Sequence, residues 1–441
     1  MMNFCHHLTL SKLFIKIGMA LLNHSAGPIF LLAGILFLNA FQANAQTKKE
    51  EFVIGIFWPP VWKFTNDEQY KILSESHVNC IQNVSSTDLN TPEKNFKMLD
   101  LAKKYGMKVY VSDPRVTGSD KEIEEMVETY RHHPATAGYY IRDEPDSAML
   151  DWAIKTYRKI ASLDKDKIPH VNLYPDFAVK NYEKAYVERW IEGVGKENLK
   201  YLSYDNYPYL RKGKFEKSYY NNLDIIRRAG LKYKVKTSSY LQSFGIINTF
   251  RRPDQNEMRL NVYSNLAYGI KNPVWFCYAT PTGQGDQKFM NAVIDSLGQK
   301  TDLYRPFQRF NAEMTQLGKT LIHLDAVEVY HSGDSLWMGT KPVPADFFFK
   351  PAESSSKLII SYFKDQNNKQ QYVMIVNKSF KTSEKFAFKL DKKIKKVQEI
   401  SKVSGEAQKT VLDKKSGSLK GNFLPGEGKL YLISECSDQA F

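Results

Sequence analysis

The chain has 441 residues, 42% of them hydrophobic, and a formal net charge of +14; its mean hydropathy is −0.45. That length exceeds one compact core of ordinary size, so a large domain with a smaller companion is expected. The polar balance excludes a membrane bundle, and the scattered lysines, without an Arg-rich helix or a nucleic-acid motif, exclude a nucleic-acid partner. The excess charge reads as a solvated basic surface, densest around Lys392, Lys393, Lys395 and Lys396; an acidic polysaccharide or an anionic cell envelope is the functional alternative.

The first 45 residues read as a signal peptide. Lys12 and Lys16 precede an apolar run at residues 29–38, and Ala43-Asn44-Ala45 is a small-x-small cleavage signature that leaves Gln46 as the mature N-terminus. Met19 is an alternative start. No Cys follows the apolar run, so no lipid anchor is expected, and no later stretch is apolar enough to span a bilayer. The mature chain is therefore expected to be secreted or periplasmic, with no stable membrane insertion. Cys80 and Cys277 lie in strand-like runs and read as buried thiols, with Cys5 in the leader and Cys436 near the end. The spacing of the four offers neither a disulfide framework nor a metal site.

From residue 52 to about 280, strand-like runs alternate with helical ones. The strand candidates are 52–58, 78–84, 108–113, 136–142, 170–174, 201–207, 235–241 and 273–278. Amphipathic segments fall between them at 92–105, 120–132, 147–163, 221–229 and 256–268. Gly106, Gly230 and Gly269 stand where C-terminal caps belong. About eight such units predict a (β/α)8 TIM barrel over residues 46–318. A doubly wound open sheet is the runner-up, but the turn after the first strand is Trp58-Pro59-Pro60-Val61-Trp62 rather than a glycine-rich phosphate turn. Beyond residue 318, runs at 327–330, 357–363, 371–376, 385–390, 396–401 and 429–433 alternate like half-exposed strands, which predicts a C-terminal antiparallel β-sandwich over 319–441.

In a barrel the chemistry sits at the C-terminal ends of the strands. Here those ends carry Trp58; Asn83; Asp113 and Arg115; Arg142, Asp143 and Glu144; Asn172 and Tyr174; Asp205, Asn206 and Tyr207; Tyr240 and Gln242; and Tyr278 and Thr280. Amide, carboxylate and aromatic groups converging on one mouth suit a sugar. The run Gly138-Tyr139-Tyr140-Ile141-Arg142-Asp143-Glu144-Pro145 reads as a buried strand that delivers an acid to its rim. Glycosidic cleavage needs one protonated and one ionised carboxyl group. Glu144 beside Asp143 has the like-charge neighbour that keeps a carboxyl protonated, and Asp205 ends another strand. Glu144 as acid and Asp205 as base or nucleophile are the expected catalytic pair. Trp58, Tyr204, Tyr240 and Trp275 are candidates for stacking, and Asn83, Asp113, Arg142, Asp143, Asn172, Tyr174, Asn206, Gln242 and Tyr278 for substrate contacts. No metal or other cofactor is expected: His132 and His133 are adjacent, His77 and His170 isolated, and no HExxH or Gly-x-Ser-x-Gly motif occurs.

The Tyr-Tyr-Ile-Arg-Asp-Glu-Pro strand, Asn172-Leu173-Tyr174-Pro175, Ser203-Tyr204-Asp205-Asn206-Tyr207-Pro208 and Leu266-Ala267-Tyr268-Gly269 resemble secreted bacterial glycoside hydrolase-like proteins. These are distantly similar to family 42 β-galactosidases and other clan A barrels. The run from Tyr372 to Lys378 and Leu424-Pro425-Gly426 look like the β-sandwich that follows such barrels. The resemblance implies a barrel glycosidase with a carbohydrate substrate and makes Glu144 its general acid/base. Two positions depart from the family. Asp143 stands where clan A has Asn, and the end of strand seven, Thr237 to Ser243, lacks the family's nucleophilic Glu. Asp205 as the base of an inverting reaction would stand roughly 6.5–9.5 Å from Glu144; a sugar-binding barrel without catalysis is the alternative.

Overall fold

A computed structural model describes residues 50–82, 90–282, 285–333, 336–410, 412–413 and 417–435. The leader, Asn83 and Cys436 lie outside them. Every element described below lies within Phe52–Phe441.

Eight parallel strands close into a barrel: β1 (Gly55–Phe57), β2 (Cys80–Gln82), β3 (Lys108–Val111), β4 (Thr136–Asp143), β5 (His170–Leu173), β6 (Tyr201–Tyr204), β7 (Lys236–Gln242) and β8 (Asn272–Phe276). Closure is made by β8 on β1, where Gly55 faces Val274 and Ile56 faces Trp275. A helix follows each strand: α1 (Asp67–Glu75), α2 (Pro92–Lys104), α3 (Asp120–Tyr130), α4 (Leu150–Leu163), α5 (Arg189–Val194), α6 (Tyr219–Tyr233), α7 (Gln255–Ala267) and α8 (Tyr304–Leu321). The predicted (β/α)8 barrel is thus the fold. Local chemistry starts the helices: Asn66 and Thr91 cap α1 and α2, and capping boxes at Ser119/Glu122 and Asp254/Glu257 open α3 and α7. Gly106 and Gly269 follow α2 and α7 at positive φ. Gly230 does not cap; it lies inside α6, which runs on to a left-handed Lys234.

Strand alternation sorts side chains into two layers. Phe57, Cys80, Tyr110, Tyr140, Tyr240 and Val274 fill the barrel interior. Their neighbours Ile56, Ile81, Val109, Tyr139, Ile141, Leu202 and Leu241 join the larger core under the helices. Cys80 and Cys277 are buried free thiols. Gly138 starts this alternation in β4 for a steric reason: a Cβ there would lie 1.8 Å from the Ile168 carbonyl oxygen. A register shift between Tyr140 and Arg142 then bends β4 at its end, which turns Asp143 inward with Tyr140.

The C-terminal strands form two sheets. The larger has the order β9 (Leu324–His331), β11 (Leu358–Asp365), β12 (Gln371–Asn377), β18 (Gly428–Glu435), β14 (Ile394–Ile400), β15 (Ala407–Lys409). The smaller has β10 (Phe349–Pro351), β13 (Glu384–Leu390), β17 (Ser418–Phe423), β16 (Leu412–Asp413). All pairings are antiparallel, as expected for a sandwich. The half-exposed reading of the central strands is corrected. Leu358, Ile360, Val373 and Ile375 pack between the sheets, while Ile359, Phe363, Tyr372, Met374 and Val376 belong to the core that begins inside the barrel layer. The central strands β11 and β12 are therefore buried on both faces. Facing it, α7 is buried at every position from Glu257 to Ala267, and Arg259 donates to the Pro425 carbonyl at 2.6 Å.

Gly138→Ala is expected to cost roughly 3 kcal/mol or more, because the clash is with backbone and cannot be relieved by a rotamer. Denaturant unfolding of the variant beside the native chain measures it; an unchanged midpoint would show that β4 and Ile168 are not this close.

Candidate active site

Three carboxyl groups meet at the C-terminal mouth of the barrel. Asp143 ends β4, Glu144 follows it, and Asp205 follows β6. Glu144 has φ +45°, a left-handed backbone held by its amide bonding to the Asn172 carbonyl at 2.9 Å; such geometry is costly for a residue with a Cβ and collects at functional sites. The Asn172 side chain is the hub. Its Nδ2 donates to Asp143 Oδ1 at 3.2 Å and to Asp205 Oδ1 at 3.1 Å. Ser203 Oγ donates to its Oδ1 at 3.2 Å, which fixes the orientation of the amide. Tyr140 adds a second donor to Asp143 at 3.1 Å, and Tyr207 one to Asp205. Glu144 hydrogen-bonds Asp205.

Burial pushes all three carboxyl groups up, more strongly for Glu144 than for Asp205. For Glu144 the neighbouring Asp205 and Asp143 add to burial. For Asp205 the charge on Asp143 adds, while the bonds from Glu144, Asn172 and Tyr207 oppose it. For Asp143, Asn172, Tyr140 and Arg142 oppose burial. The donors thus favour the charged forms of Asp143 and Asp205, while Glu144, with burial and two acidic neighbours acting together, is the group pushed up furthest. Asp205 is 8% exposed. Asp143 is exposed at the rim, with its carboxylate bonded to the buried Tyr140 and Asn172 beneath it.

Beneath the carboxylates the barrel is a polar and aromatic plug. Tyr240 donates to Gln82 Oε1, and Gln82 Nε2 lies 3.2 Å from His170 Nε2. Burial holds the His170 imidazole neutral, down to about 3. One side of the mouth is an aromatic wall. Trp58, at φ +55°, packs on Phe276 at 4.8 Å and Phe289 at 5.6 Å, and Tyr207 on Phe244 and Phe276 at 4.9 and 5.5 Å. Tyr174 stands on the acid side, close enough for Glu144 to influence its hydroxyl. Arg142 is exposed at the same rim.

The structure brings together Trp58, Arg142, Asp143, Glu144, Asn172, Tyr174 and Asp205, with Tyr240 below them. Other expected contacts point elsewhere. Tyr204, Trp275 and Tyr278 face the helix layer, where Trp275 donates to Asn311 at 2.7 Å and Tyr278 packs on Phe307. Asn206 turns to Ser218 and Asn222 of the α6 region. Asp113 is consumed by Arg115 and Tyr130. Gln242 is fully buried, its amide bonded to the backbone of Tyr209 and Arg251. These residues sit one position out of phase with the interior face, or belong to loops that tie the barrel top together. Glu144 and Asp205, the expected catalytic pair, are neighbours in this mouth and share a hydrogen bond. Sequence reading missed Tyr140, Ser203, Gln82, His170, Phe276 and Phe289. Ser203, two residues before Asp205, shares its strand face and was findable by that spacing alone. Among the described residues no group of three His, Cys, Asp or Glu side chains is arranged to hold a metal ion.

The family model of glycoside hydrolase family 42, described as β-galactosidase, matches residues 146–317, beginning just after Glu144. A β-galactosidase of Bacillus circulans sp. alkalophilus superposes with a TM-score of 0.58 at 8% identity, over 88% of this chain and 100% of that one. Gan42B, a family 42 β-galactosidase of G. stearothermophilus, gives 0.56 at 10% identity, over 87% and 98%. The chain is distantly similar to family 42 barrels. It spans about 60% of the length of the β-galactosidase of the psychrophilic Marinomonas ef1, at 12% identity, a TM-score of 0.45 and 61% coverage of this chain. No curated protein matches the sequence significantly. The two superpositions extend beyond the family match into the sandwich, so barrel and sandwich together are the shared fold. The family match begins after Glu144, and β7 ends in the locked Gln242.

A carboxyl group raised on folding binds protons more tightly in the native state, so it weakens stability progressively as pH rises above its unfolded value of about 3.9. Asp205→Asn should therefore raise Tm relative to the native chain at pH near 8, with the gain vanishing toward pH 4. Thermal unfolding across that range checks it; a gain that grows in acid would refute the buried cluster.

Proposed function

We propose that the chain is a glycoside hydrolase cleaving an oligo- or polysaccharide, with Glu144 as its general acid. The observation that carries this reading is the convergence of three carboxyl groups, two of them joined by the Asn172 amide, beside the aromatic pair Trp58 and Phe276. Glu144 would deliver its proton to the glycosidic oxygen as the C–O bond breaks. Water would add to the anomeric carbon and lose its proton to an ionised carboxylate, Asp205 or Asp143. Contact between Glu144 and Asp205 leaves no room for a sugar between them as they stand, so Glu144 must swing from Asp205 toward substrate. The names of the structurally similar proteins make β-galactosides the first substrates to test.

Non-catalytic sugar binding is the second reading, favoured by Gln242, which occupies the end of β7 without a carboxylate. Glu144→Gln separates the two. On a panel of aryl glycosides and glycans that the native chain cleaves, the variant should lose about 10³-fold or more in kcat while unfolding at or above the native Tm, because a buried acid has been neutralised. Retained turnover would remove Glu144 from the chemistry, and affinity for a glycan that no preparation ever cleaves would favour binding alone.

We further propose that the chain is exported and cut after Ala45. Support comes from the basic, apolar and small-residue order of residues 12–45, and from the lack of a described helix long and apolar enough to cross a membrane. Intact-mass analysis of the protein recovered from its native host should give an N-terminus at Gln46; a mass retaining the leader would overturn the proposal.

A further inference from the structure

Lysines that look scattered along the sequence converge on the outer face of the smaller sheet. Phe349, Phe386, Phe388, Leu419 and Phe423 point inward and form the sandwich core. The alternate positions of the same strands face solvent. They carry exposed Lys385 and Lys389 on β13 and Lys420 on β17, beside a half-buried Lys350 on β10 whose ammonium donates to the Ala345 carbonyl. The register sets Lys350 directly opposite Lys389. It sets Lys420 opposite Ala387, between the two β13 lysines, and Lys385 opposite Asn422. The turn after β13 adds exposed Lys392 and Lys393. Among the described residues, Lys385, Lys389, Lys392, Lys393 and Lys420 make no ion pair or side-chain hydrogen bond, and Asp413 on β16 is the acid that shares the face.

Like charges set opposite one another on a sheet repel, and nothing in the folding of the sandwich requires them, since the inward residues alone make its core. We infer that this face is a docking surface for an anionic polysaccharide, held by charge and by the Asn422 side chain between the lysines. Charge complementarity selects a polyanion. A lipid surface fits less well because binding there draws on apolar side chains, and of the exposed large hydrophobic residues among the described ones Leu424 alone adjoins these strands, just past β17. The choice of a glycan over other polyanions rests on the activity proposed for the barrel; the face itself does not.

The test uses the full chain carrying Glu144→Gln, so that no polymer is consumed and loss of turnover cannot be mistaken for loss of docking. Affinity electrophoresis in gels containing polygalacturonate should retard it, and gels containing unsubstituted galactan should retard it far less. Raising salt to about 150 mM should weaken the retardation. Adding Lys385→Gln, Lys389→Gln and Lys420→Gln should weaken polygalacturonate binding about tenfold or more and flatten its salt dependence. The same variant should unfold no lower than its parent, because removing like charges relieves the sheet; Lys389→Gln alone serves as the milder variant. Equal retardation by galactan would overturn the inference, as would undiminished binding by the folded triple variant. Binding to vesicles of phosphatidylcholine with phosphatidylglycerol, but not to polygalacturonate, would reassign the face to a membrane.

Discussion

The Asn172 amide, bonded to two carboxylates at once, is the interaction on which the mouth depends. Three carboxyl groups in one partly enclosed space cannot all ionise without a large electrostatic cost. An amide that donates one N–H to Asp143 and the other to Asp205 stabilises charge on those two and leaves the third the group pushed up furthest. The carboxylates make the choice directional, because an amide oxygen turned toward them would find no donor, and Ser203 donates to that oxygen on the other side. Glu144 is the group left without such a donor, and its own backbone is pinned to the Asn172 carbonyl. One residue of β5 therefore governs both the position and the protonation of the acid that follows β4.

This arrangement was half legible in the sequence. The alternation of strand and helix, the capping signals at Ser119 and Asp254, and an acid following a buried β-run all report local chemistry, and local chemistry survives folding. The side chains that turn away from the mouth failed for a different reason. Tyr204, Trp275 and Tyr278 are aromatic, and an aromatic residue suits the helix layer as well as a sugar cleft. Only the strand register separates the two, and one residue of phase exchanges the faces. The bend in β4 between Tyr140 and Arg142 compounds this, since it brings Asp143 onto the same side as Tyr140, three residues earlier. Strict period-two counting would send one of them outward.

The larger sheet and α7 show what sequence periodicity cannot report. A strand such as Tyr372–Val376 is apolar throughout because barrel helices cover one face and the smaller sheet the other. The helix opposite it, α7, has no polar stripe to expose, although Arg259, Asn261 and Asn265 lie within it. Their donors are met internally: Arg259 by the Pro425 carbonyl, and the two Asn amide nitrogens by the Tyr219 hydroxyl. Amphipathic patterning presumes water on one side, and here neither element has it. The consequence is a continuous core joining barrel and sandwich, which makes the smaller domain part of the scaffold behind β7.

That scaffold explains the state of Gln242 at the end of β7. Its amide nitrogen donates to the carbonyls of Tyr209 and Arg251, its oxygen accepts from the Tyr209 amide, and its backbone amide is held by Asn261 of α7. A glutamate here could accept but not donate, so two backbone carbonyls would lose their partner beside a buried charge. The position where the resembled family carries a nucleophile has thus become a strap between the loops after β6 and β7. Restoring an acid there would have to undo that strap first. The carboxyl groups of this mouth instead come from the ends of β4 and β6, where the Asn172 amide joins Asp143 to Asp205.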